Sequence, residues 1–227
     1  MPRESVSAPK AFWGPPTWFT LHMVSAMAES GSFTPPRARV FRAFVFSLPD
    51  LLPCDLCRKH LTENLKALPP PSEGSPLRWS IDLHNRVNRA LGKAILRPEE
   101  IIPTYFHRGK VRSELVNRLW SSEIWRALHS VAAAYSPDRA NAFADFITGL
   151  TEMIPCITCV GPIPTFFSQV PFRIYLGSKE DLFFWTYVFH DMVTRRAGKS
   201  TIPSFASMKK EYSILDGECR SCSTGLK

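Results

Sequence analysis

Trp79-Ser80-Ile81-Asp82-Leu83-His84-Asn85-Arg86-Val87-Asn88-Arg89-Ala90-Leu91-Gly92-Lys93 is the stretch that organises this chain. Trp79, Leu83, Val87 and the Ala90–Leu91 pair recur at helical spacing and form one apolar seam. His84 and Asn88 sit four residues apart on a neighbouring face, and Gly92 gives the helix a natural place to stop. The stretch returns 106 residues later as Trp185-Thr-Tyr-Val-Phe-His190-Asp191-Met-Val193-Thr194, and Gly198-Lys199 repeats Gly92-Lys93 at the same offset.

Working outward, the repeat extends. Trp13-Gly14-Pro-Pro-Thr-Trp18-Phe-Thr-Leu21-His22 is echoed by Trp120-Ser121-Ser-Glu-Ile-Trp125-Arg-Ala-Leu128-His129 at an offset of 107. Leu52-Pro53-Cys54-Asp-Leu-Cys57 is echoed by Ile154-Pro155-Cys156-Ile-Thr-Cys159 at 102. Near-constant offsets across separate motifs indicate two copies of one unit. The reading divides the chain into a first unit over 1–96, a linker over 97–112, a second unit over 113–212 and a tail over 213–227 that is rich in Gly and Ser and expected to be mobile.

Each copy reads as helical, and no strand is expected. In the first, helices are expected from the Gly14-Pro15-Pro16 turn onward, over 37–48 with a stop near Pro49, over 54–65, and over 79–93. The second should follow with helices near 113–135, 138–153 and 179–197. The Pro-rich stretches 68–76 and 161–171 are loops, and Val-Gly-Pro after Cys159 does not read as a helix. The fold class is all-α: two tandem helical bundles, each of the kind that holds a site between its helices.

All six cysteines belong to CxxC pairs: Cys54/Cys57, Cys156/Cys159 and Cys219/Cys222. Such usage means metal binding or redox chemistry rather than a structural disulfide framework. Zinc wants four ligands, and paired knuckles usually lie about 15–20 residues apart. Here Cys57 and Cys156 are 99 positions apart, Cys159 and Cys219 are 60 apart, and six thiols divide awkwardly into fours, although His60 could add a nitrogen. Redox exchange suits the motif better, because two thiols one helical turn apart close a small, reducible ring. Cys54 at a helix start gains from the dipole, which favours thiolate.

Composition sets outer limits. The 227 residues are 44% hydrophobic, enough for a real core. The formal charge of +8 favours acidic partners or a phosphate-bearing cofactor. Nucleic acid ranks low, since there is no run of five or six like charges and no RNA-binding or helix-turn-helix signature. No stretch approaches the ~18 apolar residues that cross a bilayer, so no membrane partner is expected. The first ten residues lack the apolar core of a secretory signal, which favours an intracellular protein.

Trp-Gly-x-x-x-Trp-x-x-Leu-His, Pro-Cys-x-x-Cys and His-Asn-x-Val-Asn-x-x-Leu-Gly-Lys together resemble the Erv/ALR flavin sulfhydryl oxidases, almost completely in the first copy and in outline in the second. The resemblance implies a helical bundle holding FAD, with the flavin facing the CxxC disulfide. It implies that Gly14, Trp18 and His22 wall the flavin, that Cys54 and Cys57 are the redox pair with Cys57 nearer the ring, that His84, Asn85, Val87 and Asn88 hold the adenine and ribose, and that Lys93 meets the phosphates. Singly each residue has a plainer reading: His22 as a core histidine, Trp18 and Trp79 as packing, Asn85 and Asn88 as polar caps, Lys93 as an ordinary helix ending. Jointly, at this spacing, they point to the cofactor.

Two departures stand out. Ser80 occupies a position where many members carry a structural cysteine. The second copy has Ser121, Asp191 and Thr194 where the first has Gly14, Asn85 and Asn88, and is not expected to bind FAD. The implied arrangement is an intramolecular pseudo-dimer, a monomer for which further pairing stays open. Electrons would pass from protein dithiols to Cys219/Cys222, then Cys54/Cys57, FAD and oxygen, giving hydrogen peroxide. Cys156/Cys159 could be a structural disulfide, a vestige or an extra relay, with the first two favoured. The rival is a zinc-stabilised helical interaction protein; a disulfide reductase lacks its βαβ context. The family implies the host cytosol or virion for a viral protein, with the mitochondrial intermembrane space as the alternative.

Overall fold

The computed structural model describes residues 8–107, 110–112, 122–153, 162–198 and 201–216. Among them are ten α-helices: α1 Ala8–Glu29, α2 Pro35–Leu51, α3 Asp55–Ala67, α4 Pro76–Ala90, α5 Pro98–Tyr105, α6 Glu123–Ala133, α7 Ala140–Met153, α8 Pro162–Gln169, α9 Lys179–Arg196 and α10 Phe205–Tyr212. The all-α reading holds, with one exception. A two-residue hairpin, β1 Phe106–His107 and β2 Lys110–Val111, pairs antiparallel with Phe106 opposite Val111.

The duplication is visible as architecture. In the first unit α4 packs on α1, and in the second α9 packs on α6. Between units, α1 meets α6 and α2 meets α7, so each helix of the seam faces its own counterpart. That is the geometry of an isologous dimer made within one chain. At its centre Phe44 stacks on Phe146, ring centroids 5.3 Å apart and 20° from parallel. The two are equivalent positions, 102 residues apart like the CxxC motifs. α2 presents Ala38, Phe41, Phe44, Val45 and Leu48 as its buried stripe, and Gly149 of α7 lets the helices approach closely.

α4 shows why its sequence behaves as it does. Ser75 caps it, its Oγ accepting from the Arg78 N–H at 3.1 Å and donating to the Glu29 carboxylate at 2.6 Å. Glu29 also accepts the Leu77 N–H, so the start of α4 is tied to the end of α1. At the other end Gly92 takes φ +63°, with Gly92 N–H to Arg89 carbonyl at 3.2 Å and Lys93 N–H to Asn88 carbonyl at 2.9 Å. This is a Schellman ending, and only glycine reaches it without strain. Trp79 Nε1 donates to the Leu68 carbonyl (3.3 Å), and Trp185 Nε1 repeats the bond to the Val170 carbonyl (2.9 Å).

Several boundaries differ from expectation. α1 begins at Ala8, so Pro15 and Pro16 lie inside the helix rather than at its first turn. α2 runs past Pro49 to Leu51, since a proline in the last turn forfeits only one backbone bond. The stretch 97–112, expected to be a linker, carries α5 and the hairpin. A helix does follow Cys159: α8 starts at Pro162, where a missing N–H costs nothing. Cys156, Cys159, Cys219, Cys222, Trp120, Ser121 and Lys199 lie outside the described residues. No helix among the described residues is long and apolar enough to cross a membrane.

Candidate functional site

The first unit encloses two adjoining cavities that share Lys10, Gly14, Trp18, Val87 and Leu91 in their walls. One, about 280 Å³, is bounded by Trp13, Thr17, Leu21, Leu48, Leu52, Cys57, His60, Leu61, Asn64 and Arg86. The other, about 850 Å³, is bounded by Phe19, His22, His84, Asn88, Lys93, Leu96, Ile101, Thr104 and Tyr105. Volumes of this order suit a cofactor-sized ligand.

The cysteine pair sits where α3 begins. Cys54 is the N-cap, and its Sγ accepts the Cys57 N–H at 3.3 Å. It is buried, whereas Cys57 is half-buried and lines the smaller cavity. One turn of helix therefore separates a sulfur held in the protein from a sulfur facing the cavity.

The polar wall of the larger cavity is a directed chain. Ser80 Oγ donates to the Leu77 carbonyl at 2.8 Å, which uses its only proton. It must then accept from His22 Nδ1 (2.8 Å), leaving His22 Nε2 to accept from His84 Nδ1 (2.9 Å). His22 is thereby neutral. Burial, with His84 second, lowers the His22 pKa from 6.5 to about 3, and burial, then Lys93, lowers that of His84 to about 4. Trp18 lies flat on His84, centroids 4.0 Å apart and 2° from parallel. Tyr105, buried beside His22, has its pKa raised to about 12 by desolvation.

The expected residues Gly14, Trp18, His22, Cys57, His84, Val87, Asn88 and Lys93 all line these cavities. Two do not. Cys54 stands behind Cys57, and Asn85 turns away. Asn85 Nδ2 donates to the Leu96 carbonyl (2.8 Å) and its Oδ1 accepts the Leu96 N–H (2.7 Å). Asn88 Nδ2 similarly reaches the Ala94 carbonyl at 3.0 Å. The two amides hold the segment after Gly92, which forms part of the cavity wall. Lys10, Trp13, His60, Arg86 and Tyr105 were not singled out as cofactor residues. Tyr105 could have been, because Tyr212 repeats it at the offset of 107.

The second unit preserves the chain and changes its surroundings. His129 bonds Thr186 (2.9 Å) and His190 (3.0 Å), and Trp125 stacks on His190 at 4.1 Å. Burial pushes the His129 pKa well below its ordinary value. Yet Pro16, Asn85 and Thr104 of the first unit correspond to Glu123, Asp191 and Glu211, three acids in place of three neutral residues. Phe166 takes the place of the cavity residue Asn64 and stacks on Phe189 at 5.3 Å.

The Erv1/Alr family matches this chain over residues 15–107 and again over 122–213. The chain belongs to that family. Similar proteins include a FAD-linked sulfhydryl oxidase of African swine fever virus, 30% identical over 97 residues that cover 41% of this chain and 79% of the relative. A FAD-linked sulfhydryl oxidase of Oryza sativa subsp. japonica is 35% identical over 97 residues, covering 41% of this chain and 50% of its own. No solved structure matches.

The cavity residues fit the cofactor named for these Erv1/Alr relatives. Trp13 is buried in the cavity wall, and its indole Nε1 has no hydrogen-bond partner among the described residues. An orphan donor of that kind calls for an acceptor from a ligand. Flat aromatic surfaces at Trp18 and His84 suit fused heterocycles, and Lys10 and Lys93 suit a pyrophosphate.

Proposed function

We propose that this chain is a FAD-dependent sulfhydryl oxidase that converts protein dithiols to disulfides at Cys54/Cys57. The observation that carries the reading is Cys57 in the wall of an apolar, aromatic cavity, backed by a helix-capping Cys54. Trp13, Trp18 and Cys57 would hold the flavin, while His84, Asn88, Lys93 and Tyr105 would hold the adenine, ribose and phosphates. Asn85 would act one step back, by fixing the wall at Leu96. Bound FAD would supply a two-electron acceptor that oxygen reoxidises, with hydrogen peroxide as product.

The residues divide the remaining work. A substrate thiolate attacks Cys54, and Cys57 leaves as thiolate, favoured by the N-terminal turn of α3. The neutral His22–His84 chain keeps the floor of the larger cavity uncharged. Apolar Leu48, Leu52 and Leu61 exclude water beside Cys57.

We further infer that the tail pair Cys219/Cys222 carries electrons from folded substrates to Cys54, and that the second unit binds no FAD. The acids Glu123 and Glu211 and the Phe166–Phe189 stack support the latter, since an anionic ligand meets repulsion and lost volume, while Asp191 is paired with Arg195 at 2.7 Å. The inferred solution state is a monomer. The viral relative supports an origin in a large DNA virus, for which the inferred site of action is the host cytosol or virion, with the mitochondrial intermembrane space as the alternative.

The test is a visible spectrum of the purified chain, with oxygen consumption followed on addition of dithiothreitol. One flavin per chain, thiol-dependent oxygen uptake and loss of uptake in Cys57→Ser support the reading. Two flavins per chain would overturn the inference about the second unit. A colourless protein that stays inert after reconstitution with FAD, with zinc bound instead, would replace an oxidase by a metal-stabilised interaction protein.

A further inference from the structure

Arg58 directly follows the cysteine pair on α3. It folds back over the turn that presents Cys54. Its Nε donates to the Leu52 carbonyl at 2.7 Å, and its Nη1 pairs with the Asp55 carboxylate at 2.8 Å. The two partners flank Cys54 in sequence, so one rigid guanidinium spans the loop that carries the buried sulfur. The Arg58 side chain is 18% exposed against 86% for Asp55. An exposed partner of that kind contributes little stability by itself. What the contacts fix is the position of a cation held largely out of water.

We propose that Arg58 is a positioning residue for thiol–disulfide exchange at Cys54, holding the loop and supplying the positive charge that favours thiolate there. The proposal rests on the oxidase reading above. In the first exchange a substrate thiolate attacks Sγ of Cys54 in the Cys54–Cys57 disulfide. A substrate–Cys54 disulfide forms, the Cys54–Cys57 bond breaks, and Cys57 leaves as thiolate. In the second, the other substrate thiolate attacks the substrate sulfur of the mixed disulfide and expels Cys54 as thiolate. Two substrate thiols are oxidised to a disulfide, the CxxC is reduced to a dithiol, and the electron pair passes onward to the flavin. Negative charge passes to Cys57 in the first exchange and to Cys54 in the second, and at position 54 a fixed guanidinium lowers its energy.

The charges around Arg58 come from three elements. Asp50 lies on α2, Asp55 on α3, and Asp138 and Arg139 on the short turn Pro137–Arg139 of the second unit. Burial, then Arg139, lowers the Arg58 pKa, while Asp55, Cys54 and Asp50 raise it. Arg139 is itself anchored by its Nη1 bond to the Ala134 carbonyl at 3.2 Å. The second unit therefore reaches the electrostatic surroundings of the first unit's cysteines without contributing a sulfur.

The experiment compares Arg58→Gln with Arg58→Lys in the full chain reduced with dithiothreitol. Glutamine keeps an amide donor for the Leu52 carbonyl and removes the charge; lysine keeps the charge. Iodoacetamide labelling of Cys54, followed by peptide mapping across pH, reports thiolate through its pH midpoint, which access to the buried sulfur scales but does not shift. Arg58→Gln should slow labelling of Cys54 about tenfold near neutral pH, a shift of roughly one pH unit. Arg58→Lys, which keeps the charge but loses the fork across Leu52 and Asp55, should label at a rate between those of the parent and the glutamine variant, and both should keep the parent's flavin spectrum. Equal labelling in the parent and the glutamine variant, with folding intact, overturns the role of Arg58. Because labelling needs no turnover, a parent chain without oxidase activity would sink the oxidase reading separately.

Discussion

Trp18 lies flat against His84, and the same stack recurs between Trp125 and His190 in the second unit. In each unit the stacked histidine donates to a second one, His22 or His129, which donates in turn to a hydroxyl. A polar chain retained in both units, with different residues around it, ties the first helix of a unit to its fourth whatever else the unit does.

That chain should make the protein sensitive to acid. His22 and His84 titrate near 6.5 when unfolded but at about 3 and about 4 when folded, so between those values the unfolded chain binds more protons. Stability rises with pH through that window, is complete above about 6.5 and is lost as pH falls toward 4. Thermal melts from pH 7.5 to 4.5 should show a falling Tm, with a shallower slope in His22→Asn. A flat profile in the parent would contradict the neutral pair.

Trp13→Phe separates ligand binding from folding. The substitution removes a buried N–H that has no protein partner, so the unliganded protein should unfold at the same denaturant concentration or a slightly higher one. Flavin affinity should fall by roughly tenfold, the loss of about one hydrogen bond. Fluorescence titration with FAD measures it, and unchanged affinity would remove Trp13 from the binding set.

Asn85→Ala should act in the opposite sense. It leaves the N–H and carbonyl of Leu96 without their side-chain partner, at a cost of roughly 1–3 kcal/mol to folding. Flavin should then be retained less well because the wall at Leu96 loosens. Urea denaturation of the unliganded chain reads the first effect and gel filtration with absorbance the second.

Gly149→Ala tests the seam between units. In an open helix this change gains about 1 kcal/mol. Here a Cβ would stand 2.5 Å from Phe44 Cβ, and overpacking of that kind costs about 1–3 kcal/mol. The expected net result is a loss, read as a lower urea midpoint. A gain would mean that α2 and α7 separate easily.

The sequence made the two units and most of the cavity wall legible, because seams, CxxC turns and Gly-Lys endings recur at nearly fixed offsets. Local rules failed where tertiary packing overrode them. Pro15, Pro16 and Pro49 looked like helix boundaries, yet the chain carries helix past them. α5 was hidden by Pro98 and Pro103, although Tyr105 and Tyr212 keep the repeat. Asn85 was legible as important but not as a strut, since its bond to Leu96 depends on how Gly92 turns the chain. Lys10 and Trp13 enter the cavity only because α1 begins seven residues before Pro15, a length that no pattern in that segment announces.

The stack of Phe44 on Phe146 has an evolutionary consequence. In a symmetric pair of separate chains every substitution is made twice, and a residue near the axis must tolerate its own copy. Here the two sides are encoded separately, so Phe44 faces Gly149 while the equivalent of Gly149 is Ser47. Joining the halves also removes the dilution penalty on their association, since each is held near the other at a fixed effective concentration. One half is thereby free to drift in its chemistry while still serving as the other's wall.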